Sequence, residues 1–221
     1  MVRVFRKDML VTSFLIALFI FILGFYLGSI IDETRIADSE EMILVTQLDT
    51  DSFVTEKEFL TTFNVWDCPL LNSRMQGLGE DLREVGEIIS KYDARSISNI
   101  DVYNQLKRKY FLLELRAYTL RKQILQTCDS EGGDVILFFY DVTDSQESLN
   151  QGYALDSVVE KQENVVIFSI DGGFDEPAIN SLKLFYNITY EPTIIINYEE
   201  RIEGYISEEE ILKLLEKNAN M

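Results

Sequence analysis

The chain has 221 residues, of which 47 % are hydrophobic and 26 % are charged, with a formal net charge of −18 and no histidine. This composition favours a folded chain over a disordered one, and the negative charge disfavours binding to the phosphate backbone of nucleic acids. Two cysteines without histidine cannot build a structural zinc site, so we expect neither a metal centre nor a cofactor.

The first predicted element is a transmembrane helix. Residues 9–31 carry no charge over 23 positions, which at about 1.5 Å per residue spans the hydrocarbon core. Three basic residues precede this run and mainly acidic residues follow it. Because basic flanks stay in the cytoplasm, we predict a cytoplasmic tail at 1–8 and an extracytoplasmic portion at 32–221, anchored in the cell membrane by a single pass.

Two further predictions concern this apolar run. A cleaved signal peptide has a shorter apolar region of about 7–15 residues and a small-residue cleavage site, so the pattern favours an uncleaved signal-anchor. Gly24 and Gly28 form a GxxxG pair, which predicts a homodimer through the membrane helix. The alternative is that glycine is simply common in membrane helices.

A helical hairpin is predicted next. Residues 32–55 are acidic and mixed, and we interpret them as a linker to a hairpin at 56–130. Apolar residues alternate three and four apart over 68–92 and again over 103–127, and the stretch 93–99 between them is polar. Two such helices with a short connection predict an antiparallel hairpin of coiled-coil type. An intermolecular coiled coil, typical of an assembly subunit, fits the same heptads.

The two cysteines are predicted to face each other across this hairpin. In two antiparallel helices, the residue numbers of any two facing residues add up to the same value. A turn centred near residue 98 therefore places Cys68 opposite Cys128. Outside the cytoplasm such a pair normally oxidises, which predicts a structural disulfide. In the alternative, Cys68 is a reactive thiol at a helix start, and the pair serves a thiol–disulfide oxidoreductase.

Residues 133–219 show an α/β pattern of short apolar strands and helices. The predicted strands cover about 135–140, 165–170, 193–197 and 201–205, and the predicted helices cover 145–162, 175–186 and the segment after Ser207. The resulting element order is βαβαββα.

This order and the segment 184–196, in which Pro192 precedes a Thr-led strand, resemble the thioredoxin superfamily over about 133–217. The resemblance implies a thioredoxin-like fold with a cis peptide bond before Pro192. It also implies a face at Glu191, Pro192 and Thr193 where the backbone pairs with an extended polypeptide partner.

The departure from that family is chemical. Thioredoxins place a CxxC motif just after the first strand, where this chain has Asp144 and Glu147 and no thiol. Dithiol exchange is impossible at that position, so we predict a redox-inactive, non-enzymatic module with no catalytic residue, acting in protein binding or as a structural part.

An N-glycosylation site is predicted at Asn187, which begins an Asn-Ile-Thr triplet. With 11 asparagines and 27 serines and threonines in the chain, about one such triplet is expected by chance. The motif is therefore a weak indication of an external location.

Overall fold

The structure, a computed structural model, describes residues 7–63, 67–95, 100–128, 133–143, 146–162 and 164–219. The chain divides into two compact units, Met1–Thr62 and Phe63–Met221. The predicted position Asp144 lies outside the described residues.

The N-terminal unit is built on a single helix, α1, which spans Lys7–Phe63. Its segment Val11–Gly28 has a mean hydropathy of 2.3, and none of this segment is buried. By length and composition it can cross a membrane, and a signal sequence has the same properties.

The segment 32–55, which the sequence predicts as a linker, is helical, and α1 continues through it without a break. The physical reason is the absence of helix breakers: no glycine or proline occurs between Gly28 and Phe63. The hairpin consequently begins at Cys68 rather than at residue 56.

The hairpin itself is confirmed as α2, Cys68–Arg95, packed against α3, Ile100–Thr127. The Asp67 carboxylate accepts a hydrogen bond of 2.9 Å from the Leu70 N–H and so caps the start of α2. The predicted heptad positions form the interface and share one core, which includes Leu71, Leu78, Val85, Leu113, Ala117, Leu120 and Ile124.

The C-terminal α/β layer follows the predicted order βαβαββα. Its elements are β1 Val135–Tyr140, α4 Gln146–Lys161, β2 Val166–Asp171, α5 Pro177–Tyr186, β3 Thr193–Ile196, β4 Glu200–Glu203 and α6 Glu208–Ala219. The sheet order is β2-β1-β3-β4, with β1 parallel to β2 and β3 antiparallel to both β1 and β4.

The two central strands, β1 and β3, are buried on both faces, which explains why their sequences are almost continuously apolar. One face packs on the hairpin and α5 through Leu137, Phe139, Phe168, Ile170 and Ile195. The other face packs on α4 and α6 through Ile136, Phe138, Ile194 and Ile196. The hairpin is therefore part of the same core as the sheet and not a separate arm.

Candidate functional site

The candidate site lies where β1 and β2 end and β3 begins. The parallel register sets Tyr140 beside Asp171, and the antiparallel register sets Thr193 beside Phe139. The residues before Thr193 therefore lie at the same end of the sheet. We call this region the carboxyl edge and define it by Tyr140, Asp171 and Pro192. Ligands of open α/β sheets bind at the carboxyl ends of parallel strands.

The loop before β3 contains the predicted cis bond, between Glu191 and Pro192. Both Pro192 and Thr193 are buried. The Pro192 carbonyl accepts a hydrogen bond from the Gly204 N–H, and the Thr193 hydroxyl donates to the Tyr190 carbonyl. The backbone N–H and C=O of Glu191, in contrast, make no hydrogen bond with the described residues. Of the predicted face, the Glu191 backbone is the part free to pair.

The side chain of Glu191 is fixed against α5. Lys183 Nζ donates to Glu191 Oε1 at 2.7 Å and to the Gly172 carbonyl at 2.8 Å. A Cβ atom on Gly172 would stand 2.2 Å from Glu191 Oε1, so the carboxylate occupies space that only glycine leaves open. Lys183 thus ties the ends of β2, α5 and the cis-proline loop together.

The first turn of α4 contacts the same loop. Glu147 Oε2 accepts a hydrogen bond of 2.8 Å from the Tyr190 hydroxyl, and this bond raises the pKa of the Tyr190 phenol. A carboxylate in a first helical turn is also favoured by the helix dipole. The structure therefore brings the predicted CxxC-equivalent position next to the cis-proline loop, with a carboxylate in place of a thiol.

The connection from β1 to α4 is shaped by Asp141. Its Oδ1 accepts from the Thr143 N–H at 2.7 Å and from the Thr143 hydroxyl at 2.6 Å. These hydrogen bonds lower the pKa of the Asp141 carboxyl, which is therefore ionised at neutral pH. The Asp141 N–H donates to Ser148 Oγ, which anchors the turn to α4.

A buried ion pair behind the edge was missed by sequence reasoning. Lys107 Nζ on α3 lies 3.0 Å from Asp171 Oδ2 at the end of β2, and Asp171 Oδ1 accepts from the Gly173 N–H. Asp171 before two glycines at a strand end was a local signal of a turn. Nothing local identified Lys107 as its partner.

A second buried carboxylate, Glu114 on α3, was also missed. It is 6 % exposed and accepts hydrogen bonds from the Tyr110 hydroxyl and the Ser169 N–H, while its Oε2 has no partner. Burial raises the pKa of Glu114 to about 7, and these two hydrogen bonds only partly oppose the increase. Its position directly after the seam residue Leu113 gave no indication of such a role.

The predicted disulfide between Cys68 and Cys128 is present, with a Cα–Cα distance of 5.7 Å. Cys128 follows Lys107 by 21 residues along α3, or about 30 Å of helix at about 1.5 Å per residue. Lys107 contacts the carboxyl edge, so the disulfide lies at the opposite end of α3. The two cysteines do not form part of the edge.

Asn187 ends α5 in the left-handed conformation, with φ of 52°, and its side chain is exposed. Glycosylation there stays a prediction. Among the residues that the structure describes, no group of three or more potential ligands could hold a metal ion.

The strand order, the crossover helices and the cis-proline loop define a thioredoxin-like domain behind a helical hairpin. The chain is similar to the solved structure of chloroplastic thioredoxin z, with 20 % sequence identity and a TM-score of 0.36 over 45 % of this chain and 90 % of that chain. It is similar to the germline-specific thioredoxin Deadhead of Drosophila melanogaster, with 17 % identity and a TM-score of 0.34 over 47 % of this chain and 92 % of that chain. It is also similar to a thioredoxin from Aeropyrum pernix, with 15 % identity and a TM-score of 0.32 over 39 % of this chain and 75 % of that chain. No protein-family model matches the chain, and no curated protein matches it. The fold assignment rests on the topology of this chain.

Proposed function

We propose that the protein is a membrane-anchored, redox-inactive binding module that docks an extended polypeptide at the carboxyl edge. The backbone N–H and C=O of Glu191, which have no hydrogen-bond partner among the described residues, carry this proposal. An extended segment added beside the loop satisfies both groups at once, as in strand addition to a sheet edge. The same backbone position beside the cis proline binds polypeptides in the family that the sequence resembles.

Exposed apolar side chains near the loop support a protein partner. Leu184 and Phe185 follow Lys183 at the end of α5 and are 82 % and 74 % exposed. Tyr190, directly before Glu191, is 48 % exposed. Large apolar side chains grouped at a surface are typical of protein-binding regions.

The competing function is thiol–disulfide exchange at Cys68 and Cys128. Cys68 is the first residue of α2, where the helix dipole stabilises a thiolate. Against this, the carboxylate of Asp67 precedes it, and Cys128 is only 8 % exposed. The disulfide also closes a 60-residue separation between the two helices, which gives it a sufficient structural purpose.

For the location of the module, we propose an N-terminus in the cytoplasm and a hairpin and thioredoxin-like domain outside it. Arg3, Arg6 and Lys7 against Asp8 give the first 31 residues a charge of +2, so the rest of the chain carries −20. A domain of that charge is repelled by anionic headgroups and stands away from the membrane surface.

Site-specific photo-crosslinking in intact membranes tests the docking proposal. A photoreactive phenylalanine analogue replaces Tyr190 in the full chain, and a matched analogue replaces Glu199, which is exposed in the turn at the opposite end of β3. We expect a discrete crosslinked polypeptide at position 190 and none at position 199. An equal yield at both positions, or no adduct at position 190, would overturn the proposal.

A further inference from the structure

A groove of about 580 Å³ lies on the α4 side of the sheet, next to the carboxyl edge. Its floor is formed by Phe138, Tyr140 and Ser169 of the strands, and its walls include Tyr153 and Asp156 of α4. The volume falls within the range of pockets that hold small ligands or side chains, about 300–1,000 Å³.

Among the described residues that line the groove, the charged ones are Asp141 and Asp156, and both are acidic. The Asp156 carboxylate has no hydrogen bond or ion pair with the described residues, and the Asp141 carboxylate is held in its ionised form by Thr143. A cation is therefore the complementary ligand.

The uncharged walls select among cations. The rings of Phe138, Tyr140 and Tyr153 line the groove, together with the apolar side chains of Val142 and Leu149. A hydrated metal ion gains little from such walls. A lysine or arginine gains from them twice, because its aliphatic stem packs on apolar surface while its charged head lies near aromatic faces and carboxylates.

The groove is linked to the cis-proline loop through the first turn of α4. Gln146 and Ser148 line the groove, and Glu147 between them accepts the hydrogen bond from Tyr190. The first turn of α4 therefore touches both places, and a polypeptide docked at Glu191 can reach the groove by crossing this one turn.

We propose that the groove binds a lysine or arginine side chain of a basic polypeptide. This inference rests on the proposed function, because it specifies the chemistry of the polypeptide that docks there. The charge of −20 on the chain beyond the membrane segment agrees with a basic partner, since it attracts such a partner over long distances.

Fluorescence anisotropy with the full chain in nanodiscs of zwitterionic lipid tests the proposal. The probes are a labelled Gly-Ser peptide carrying lysines and the same peptide with norleucines in their place. Free spermine serves as a competitor that has the charge without the peptide. We expect the lysine peptide to bind and the norleucine peptide to bind far more weakly.

Variants locate the binding. Asp156→Asn and Tyr153→Ala should each weaken the lysine peptide by about 3-fold, as expected for one exposed ion pair or one cation–π contact. Tyr153→Phe keeps the ring and should bind like the parent. Glu199→Gln makes the same charge change as Asp156→Asn at the far end of the sheet and should have no effect.

Three outcomes would overturn the inference. Equal weakening by Glu199→Gln would mean that net charge alone attracts the peptide. Insensitivity to both groove variants would place the peptide elsewhere. Failure of the lysine peptide to bind more tightly than the norleucine peptide would show that the groove does not select a cationic side chain. The photo-crosslinking experiment at position 190 separates this inference from the proposed function. If the crosslink forms but the groove variants give one of these outcomes, only the assignment of the groove is wrong. If the crosslink does not form, the proposed function is wrong, whatever the groove binds.

Discussion

The ammonium group of Lys107 lies 3.0 Å from Oδ2 of Asp171 and joins the helical hairpin to the end of β2. The side chains of the two residues are 17 % and 3 % exposed. Around the ammonium, the rings of Phe111 and Phe174 have centroids 5.7 Å and 5.4 Å away. Such a pair is poorly hydrated, so removing one partner leaves the other charge buried without compensation.

Replacing Lys107 with methionine should therefore lower the free energy of unfolding by about 3–5 kcal/mol, because Asp171 is left unpaired while the apolar packing is kept. Urea unfolding followed by circular dichroism measures the change. The double variant Lys107→Met, Asp171→Asn removes both charges and should regain most of the loss. A single variant as stable as the parent would show that the pair contributes little.

Stability should also depend on pH through Glu114. Burial raises its pKa from 4.5 to about 7 in the folded chain, so the folded state binds the proton more tightly than the unfolded state does. The stabilisation from this group is complete below the unfolded pKa and is lost as the pH rises to about 7. Between about pH 5 and pH 8, the contribution of Glu114 to the free energy of unfolding should fall by up to about 3 kcal/mol.

Glu114→Gln should remove that part of the pH dependence, because the amide does not titrate and its oxygen can still accept hydrogen bonds from Ser169 and Tyr110. The free energies of unfolding of the parent and the variant are measured across the pH range, and their difference is plotted against pH. Glu84→Gln on the exposed face of α2 is the matched control and should leave the parent curve unchanged. Parallel curves for the parent and Glu114→Gln would contradict the prediction.

Replacing both Cys68 and Cys128 with serine should lower stability by about 2–5 kcal/mol, because the unfolded chain regains the entropy of an open loop. Non-reducing peptide mapping of the parent should recover the two cysteine peptides linked. Insulin-reduction assays should give the same background rate for the parent and the double-serine variant. A variant of full stability that loses a measurable exchange activity would make the cysteines catalytic.

The direction of membrane insertion is tested by protease accessibility. Protease added to intact cells should digest the portion after residue 31 and leave the N-terminal tail protected, because the basic flank remains in the cytoplasm. A tag fused at the N-terminus reports the protected end, and permeabilised cells give the control digest. Protection of the C-terminal portion in intact cells would reverse the predicted topology.

Several features were predictable because they depend on periodicity or position along the chain. The heptad spacing predicted the hairpin, and the constant sum of opposed positions predicted the Cys68–Cys128 bond. The alternation of apolar runs predicted the βαβαββα order, and the resemblance of the segment around Pro192 to thioredoxins implied the cis bond. The helical conformation of the predicted linker at 32–55 also has a local cause, because the segment lacks helix breakers.

The groups of the candidate site were decided by tertiary structure. Tyr190 and Glu147 are 43 residues apart, and Lys107 and Asp171 are 64 residues apart, so no local pattern could pair them. The packing of α3 across the sheet buries Glu114, and the approach of α4 to β1 and β2 creates the groove. Sequence determines which side chains each helix and strand presents. Burial and the distance between charges, which set pKa values and ligand preference, arise only when those elements pack.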